Sequence, residues 1–295
     1  MKVLITGAGG YIGTALTDHL EDDYELRLSD LPEVETDHEF VQADVRDPEA
    51  VEPLVEGVDA VVHTPAWHGV HTDEHTDREF WELNVEGTFN VIEAAASAGV
   101  DHAVWLSSQA WYGGVESKYP FTKVVGESTV EYFTSTSEGF SAVAVRPAAV
   151  EDPTGAGPTP ASNRKEFGEQ LLRGVVSLRD VIGVTTAALE ADSIEWGAYP
   201  AVRDDPYTLD ELDAYREDPV GMLESYVPRA GELIDRYDLD LPAEINRCGS
   251  ADDATMAPSR EDLGYGGRDT FVSFLEALAD HDDRGDAEAW LRTDL

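Results

Sequence analysis

Residues 2–30 read KVLITGAGGYIGTALTDHLEDDYELRLSD. Lys2–Thr6 is a short apolar run, as a buried first strand would be. Gly7-Ala8-Gly9-Gly10-Tyr11-Ile12-Gly13 follows, and an amphipathic stretch continues to Leu20. Glycines at 7, 10 and 13 let the chain turn tightly and let its backbone approach a pyrophosphate. The phosphate then meets the positive end of the next helix. Between a strand and a helix, this pattern predicts a dinucleotide site over a plain tight turn. Tyr24–Ser29 reads as the second strand, ending at Asp30. An acid about 20 residues beyond the loop accepts hydrogen bonds from a ribose 2′-OH and repels a 2′-phosphate, so NAD is expected over NADP. In so acidic a chain an aspartate also falls there by chance.

Working outward, Glu39–Gln42 reads as a third strand and Ala43-Asp44-Val45-Arg46-Asp47 follows it. Glu49–Val55 suits a short helix, and Asp59–His63 a fourth strand closed by Thr64-Pro65-Ala66. Asp77–Ala98 reads as one long helix containing Asn84, with Gly99 as its stop. His102–Ser107 and Ser141–Arg146 are the fifth and sixth strands, the latter followed by Pro147. Near-continuous apolar strands alternating with helices predict a parallel sheet covered on both faces, with ligands at its carboxyl edge. The fold class is therefore α/β: a Rossmann-type doubly wound parallel sheet with a smaller C-terminal substrate lobe. Residues 1–150 are expected to form the NAD-binding domain, and 151–295 a substrate-binding lobe and lid interleaved with the sheet. Composition shifts at Glu151, where PTGAGPTPASN (153–163) reads as a loop. Helices are expected over 164–173, 179–190, 228–237 and 271–281, and a strand over 245–249. The remainder of 193–241 has no clear pattern and reads as a lid or insertion.

The chemistry is concentrated in Val104–Glu127, VWLSSQAWYGGVESKYPFTKVVGE. It reads as a strand, a serine-bearing loop and a helix that opens with Tyr119. Pro120 is expected to hold Tyr119 off helical geometry, at the helix entry. Lys123 lies four residues on, hence on the same helix face. A cation there favours the phenolate and is expected to lower the tyrosine pKa, making it an acid/base for an alcohol. Ser108 is placed to hydrogen-bond the same substrate oxygen, and Ser107 reads as a strand-end residue. Trp67 and Trp111 are candidate substrate contacts, with core or rim packing as the alternative. The spacing of His68, His71 and His75 would suit a metal on a helix. The segment is polar and loop-like, so a lid or substrate-contact loop is expected there and no metal.

The chain carries 61 acidic and 20 basic residues, a net charge of −41, with 42% hydrophobic residues. Acids spread along an aromatic-containing chain describe a folded protein with an acidic surface. Self-repulsion on this scale needs screening by salt, so a salt-rich, halophile-like cytoplasm is expected. Nucleic acid is an unfavourable partner, because phosphate binding needs a basic patch. No apolar run approaches the roughly 20 residues of a membrane span. The N-terminal run is too short for a signal peptide, and a cytoplasmic location is expected. The single cysteine, Cys248, excludes an internal disulfide and reads as a small core residue.

These motifs together resemble the extended short-chain dehydrogenase/reductases, the NAD-dependent epimerase/dehydratase family. The matching residues are TGAGGYIG (6–13), Asp30, ADVRD (43–47), HTPA (63–66), NVEGT (84–88), LSS (106–108), YG (112–113), YPFTK (119–123) and RP (146–147). Beyond residue 150 only fragments such as Arg179-Asp180-Val181 are similar. The resemblance implies that Gly7, Gly10 and Gly13, with the amides of Tyr11 and Ile12, cradle the pyrophosphate. Asp30 would hold the adenosine ribose, and Asp44 and Val45 the adenine. Thr64, Pro65 and Ala66 would line the cofactor, Asn84 would support the active site, and Pro147 would pack near the nicotinamide. It further implies Tyr119 as acid/base, Lys123 on the nicotinamide ribose, Ser108 on the substrate hydroxyl, and a homodimer through the helices containing Asn84 and Lys123. The expected activity is hydride transfer between NAD and a sugar or sugar-acid hydroxyl. Alternatives are a nucleotide-sugar epimerase or dehydratase with tightly bound NAD, and a non-catalytic dinucleotide-sensing regulator. Ser108 lies only eleven residues before Tyr119, a shorter loop than is usual in nucleotide-sugar epimerases resembling this family.

Overall fold

The computed structural model describes residues 1–151, 161–246 and 255–293, without the side chains of Trp111, Tyr112 and Leu209. Strands β1 (Lys2–Thr6), β2 (Glu25–Asp30), β3 (Glu39–Gln42), β4 (Ala60–His63), β5 (His102–Leu106) and β6 (Ser141–Pro147) alternate with helices. The helices are α1 (Tyr11–Leu20), α2 (Pro48–Val55), α3 (Asp77–Trp81), α4 (Thr88–Ala98) and α5 (Lys118–Thr136). Then come β7 (Ala149–Val150), α6 (Arg164–Leu171), β8 (Val175–Val176), α7 (Leu178–Glu190) and β9 (Trp196–Ala201). The main sheet runs β3-β2-β1-β4-β5-β6-β9, and β7 pairs with β8 separately. β1 pairs in parallel with both β2 and β4, so the winding reverses between β1 and β4. That is the topological switch point, where an open α/β sheet leaves a crevice at its carboxyl edge. β4 and β5 are buried along their whole length, as strands covered on both faces must be.

The chain divides into two compact units. One is Met1–Pro147 with Ile182–Pro200 and Pro258–Tyr265; the other is Ala148–Val181 with Ala201–Ala257 and Gly266–Leu295. In the first, Leu4, Val61, Ile92, Trp105 and Val130 belong to one buried cluster. Each such fully buried aliphatic contributes about 1.5–3 kcal/mol. The second is largely helical, with α8 (Leu209–Glu217), α9 (Pro219–Glu224), α10 (Ala230–Tyr237), α12 (Phe271–Arg284) and α13 (Ala287–Leu291), while α11 (Ala257–Asp262) falls mostly in the first. Its own core includes Tyr215, Leu223, Leu233, Phe271 and Leu275.

Four departures from the sequence expectations have local causes. Within 193–241 the structure has a strand, β9, at the edge of the main sheet. Its Gly197 and Pro200 obscure a strand pattern, and at an edge Pro sacrifices no shared ladder bond. The helix expected over 77–98 contains a π-helical stretch, Glu82–Gly87, between α3 and α4. Gly99 ends it in the left-handed conformation, as expected. Tyr119 is not held outside α5: the helix starts at Lys118, and Tyr119 is its second residue. Pro120 is accommodated because first-turn N–H groups have no intrahelical acceptor to lose. Of the strand expected over 245–249, Asn246 makes a bridge to Arg173; residues 247–249, with Cys248, lie outside the described residues. Among the described residues no helix is long and apolar enough to cross a membrane.

Candidate active site

The glycine turn fits a dinucleotide phosphate. Gly7 has a φ of +74°, and a Cβ on Gly13 would lie 2.1 Å from the Gly7 carbonyl oxygen. Only bare backbone closes this turn. The N-cap of α1 is Gly10, and no side chain caps it, so the positive end of the helix faces the turn, where an anion is favoured. Asp30 is aimed at the loop: Gly9 N–H donates to its Oδ2 at 2.8 Å and Leu31 N–H to its Oδ1 at 2.6 Å. Tyr11 and Ile12 open α1 half-buried.

Across the switch point, Thr64 Oγ1 donates to the Thr6 carbonyl at 2.9 Å, beside the turn, and Pro65 and Ala66 follow half-buried. Val45 is buried, and its carbonyl accepts from Asn90 Nδ2 at 3.0 Å. The Asp44 carboxylate takes Nε and Nη2 of Arg46 at 2.8 and 2.7 Å, which holds it below the usual carboxylate range. Pro147 ends β6, buried.

Asn84 lies in the π-helical stretch, where the widened turn often marks a functional site. Its Oδ1 accepts from Trp67 N–H at 2.7 Å, and its Nδ2 donates to the Trp67 carbonyl at 2.9 Å and to Thr122 Oγ1 at 3.0 Å. One amide thus fixes the exit of β4 to α5. The Trp67 ring stacks on His75 at 3.7 Å, and Lys118 Nζ donates to the His75 carbonyl at 2.7 Å. Segment 67–75 is therefore tied to α5 at both ends. It carries the His68 ring to 4.6 Å from that of Tyr119. The three histidines sit in and around a short turn, Gly69–His71, rather than along a helix.

Ser108, Tyr119 and Lys123 come together. All three are buried, and the Ser108 hydroxyl sits near enough to the phenol to favour its charged form. Lys123 Nζ lies 5.9 Å over the Tyr119 ring and donates to the Leu106 carbonyl at 2.6 Å. The expected lowering of the tyrosine pKa does not hold. Burial pushes the phenol up to about 12, with the Ser108 hydroxyl opposing. Burial also lowers Lys123 to about 7, against the pull of Glu127. Desolvation disfavours both charged forms, and here it outweighs the opposing influence of Ser108 on the phenol and of Glu127 on the ammonium.

One neighbour, Gln109, had no signal in the sequence. It is 3% exposed and opens the turn Gln109–Gly113 directly after Ser108. Neither end of its amide has a hydrogen-bond partner among the described residues. Another, Glu127, was legible from its spacing, four residues past Lys123. The side chain of Trp111 lies outside the described residues.

A parallel sheet with a glycine turn at its switch point and a Ser–Tyr–Lys cluster at its carboxyl edge defines a dinucleotide-dependent class of protein. The chain matches the NAD dependent epimerase/dehydratase family over residues 3–179 and belongs to it. Uronate dehydrogenase of Pseudomonas putida is 34% identical over 151 residues, 45% of this chain and 55% of that protein. The dTDP-glucose 4,6-dehydratase of Mycobacterium tuberculosis is 35% identical over 129 residues, 39% of each. The match thus spans about half the length of the first relative and less of the second. A short-chain dehydrogenase/reductase superfamily protein from Agrobacterium tumefaciens, solved with bound NAD, shares the fold. Its TM-score is 0.66 at 19% identity, over 98% of this chain and 99% of that one.

Proposed function

We propose that the protein is an NAD-dependent oxidoreductase moving a hydride between NAD and a hydroxyl-bearing carbon of a free sugar or sugar acid. The observation that carries this is the joined Ser108–Tyr119–Lys123 geometry at the switch-point edge. In the oxidising direction Tyr119 takes the hydroxyl proton while the C–H electron pair leaves as hydride. Ser108 hydrogen-bonds the same oxygen and stabilises its developing charge. Lys123 holds the nicotinamide ribose, and Pro147 packs beside that ring. Gly7, Gly10 and Gly13 with the amides of Tyr11 and Ile12 hold the pyrophosphate, Asp30 the adenosine ribose, and Asp44 and Val45 the adenine. Thr64, Pro65 and Ala66 line the cofactor, and Asn84 holds Trp67 at the substrate side. Bound NAD supplies the hydride acceptor, which no side chain can.

A free sugar or sugar acid is favoured over a nucleotide sugar because only ten residues separate Ser108 from Tyr119. That leaves little chain to enclose a nucleotide. The orphaned Gln109 amide is a ready reader of a hydroxyl or carboxylate. An unpartnered buried amide destabilises the fold by about 1–3 kcal/mol. Gln109→Leu is accordingly expected to raise Tm. It should lower kcat/KM for a sugar acid about 10- to 100-fold, from the ~1.5–3 kcal/mol of a hydrogen bond to a charged group. Unchanged kcat/KM would remove Gln109 from the substrate site.

The 35% identity to a dehydratase favours one second reading, an epimerase or dehydratase that returns the hydride. A panel of sugars, sugar acids and nucleotide sugars with NAD and NADP at molar salt separates them by absorbance. The first reading gives net NADH from a sugar or sugar acid and none with NADP; product without NADH supports the second. The homodimer is proposed too. Phe89 on α4 and Phe121 and Tyr132 on α5 are 40%, 44% and 57% exposed, an aromatic face suited to a second copy. Light scattering should give twice the chain mass, and Tyr132→Glu should shift it towards one.

A further inference from the structure

We infer that Glu127 is a positioning residue for this site: gripped by Ser107 and Arg146, it locks the end of β5 to α5, the helix that carries Tyr119 and Lys123. The inference rests on the catalytic reading of Tyr119 and Lys123 above. Ser107 Oγ donates to Glu127 Oε1 at 2.5 Å, and Ser107 N–H donates to the Val145 carbonyl of β6 at 2.7 Å. Arg146 grips the same carboxylate in a fork, Nε to Oε1 at 2.8 Å and Nη2 to Oε2 at 2.6 Å. The two side chains are 16% and 10% exposed. One carboxylate thus joins three elements: β5, whose next residue is Ser108; α5, which carries Tyr119 and Lys123; and β6, which ends at Pro147. Arg–carboxylate forks fix geometry as well as charge.

The charge has a second use. Groups facing Lys123 come from every side. On α5 these are Tyr119 and Glu127. On β5 they are the Leu106 carbonyl and the Trp105 ring, 4.9 Å from Nζ. On β4 there is His63, fully buried between the Thr6 and Thr88 hydroxyls and pushed down to about 3, hence neutral. His68 lies on the loop beyond. Glu127 is the one carboxylate among them, and it opposes the loss of the ammonium's proton. A buried ion pair is a weak source of net stability, so position and charge control are the more informative roles for this one.

The test is the pH profile of kcat/KM for sugar oxidation. In the wild type it should break near pH 7, where Lys123 titrates. Glu127→Gln keeps one acceptor for Ser107 but removes the charge, and the break should move to lower pH. It also removes the carboxylate that the buried Arg146 guanidinium grips, which threatens the fold. The double variant Glu127→Gln/Arg146→Gln removes both charges and should show the same acidward break with a wild-type circular dichroism spectrum. A folded variant whose activity falls equally at every pH, with the break in place, overturns the inference and leaves Glu127 a structural residue. Failure of the underlying reading looks different: Tyr119→Phe would then retain turnover in an otherwise wild-type background.

Discussion

Tyr119→Phe is expected to lower kcat about 10²–10⁴-fold, the usual contribution of a positioned acid/base, while leaving NAD affinity and the melting temperature nearly unchanged. Only one oxygen is removed, and the ring keeps its buried seat beside Lys123 and His68. The pH dependence makes the expectation sharper. The working pair in oxidation is a phenolate beside an ammonium. With the phenol near 12 and the ammonium near 7, that pair is a minor form at every pH. Below about pH 7 the ammonium is intact and the phenolate fraction grows with pH, so kcat/KM climbs tenfold per unit. Between about 7 and 12, gain of phenolate is cancelled by loss of ammonium, and the profile is flat. Reduction needs the protonated phenol and the ammonium together. It should be flat below about pH 7 and fall tenfold per unit above. Stopped-time assays in both directions check this. Turnover by the Phe variant within tenfold of wild type, or oxidation already flat below pH 7, would remove Tyr119 from the chemistry.

The four-residue spacing of Tyr119 and Lys123 is a local fact, and it placed the two groups together correctly. The direction of their shifts is a tertiary fact, set by how much of the fold closes over them, and spacing carries none of it. The same division runs through the chain. β1, the glycine turn and β4 were legible because buried parallel strands are continuous apolar runs with forced turns after them. β9 was not, because an edge strand tolerates Gly197 and Pro200. The π-helical stretch around Asn84 was not, since one inserted residue leaves the apolar pattern of α3 and α4 intact. α8 does carry a signal: Thr208 and Glu211 cap each other's backbone, and T-x-x-E is a helix-start signature. Gln109 left none, because an orphaned amide is defined by what fails to surround it.

The other large effect expected is on stability. In low salt the protein should be unfolded or only partly structured, and in molar KCl it should melt cooperatively at a much higher temperature. The reason is the surplus of 61 acids over 20 bases. The bases are already shared. Lys2 meets Glu25 and Glu39 at 3.1 and 2.7 Å, and Arg27 returns to Glu39 at 2.9 Å. Arg229 meets Glu232, Asp282 and Asp283, and Arg236 returns to Glu232 and Asp282. No rearrangement of these side chains can neutralise the remaining carboxylates, so their repulsion is relieved only by mobile cations. The Debye length falls from about 8 Å at 0.15 M to about 3 Å at 1 M, so repulsion between neighbouring surface charges is largely removed within that range. Screening predicts that NaCl and KCl act alike at equal ionic strength and that sucrose, which strengthens burial without screening, does not replace them. Melting followed by circular dichroism from about 0.05 to 2 M KCl decides the matter. A melting temperature independent of KCl, or one restored equally by sucrose, would mean that the acidic surface is not what limits this fold.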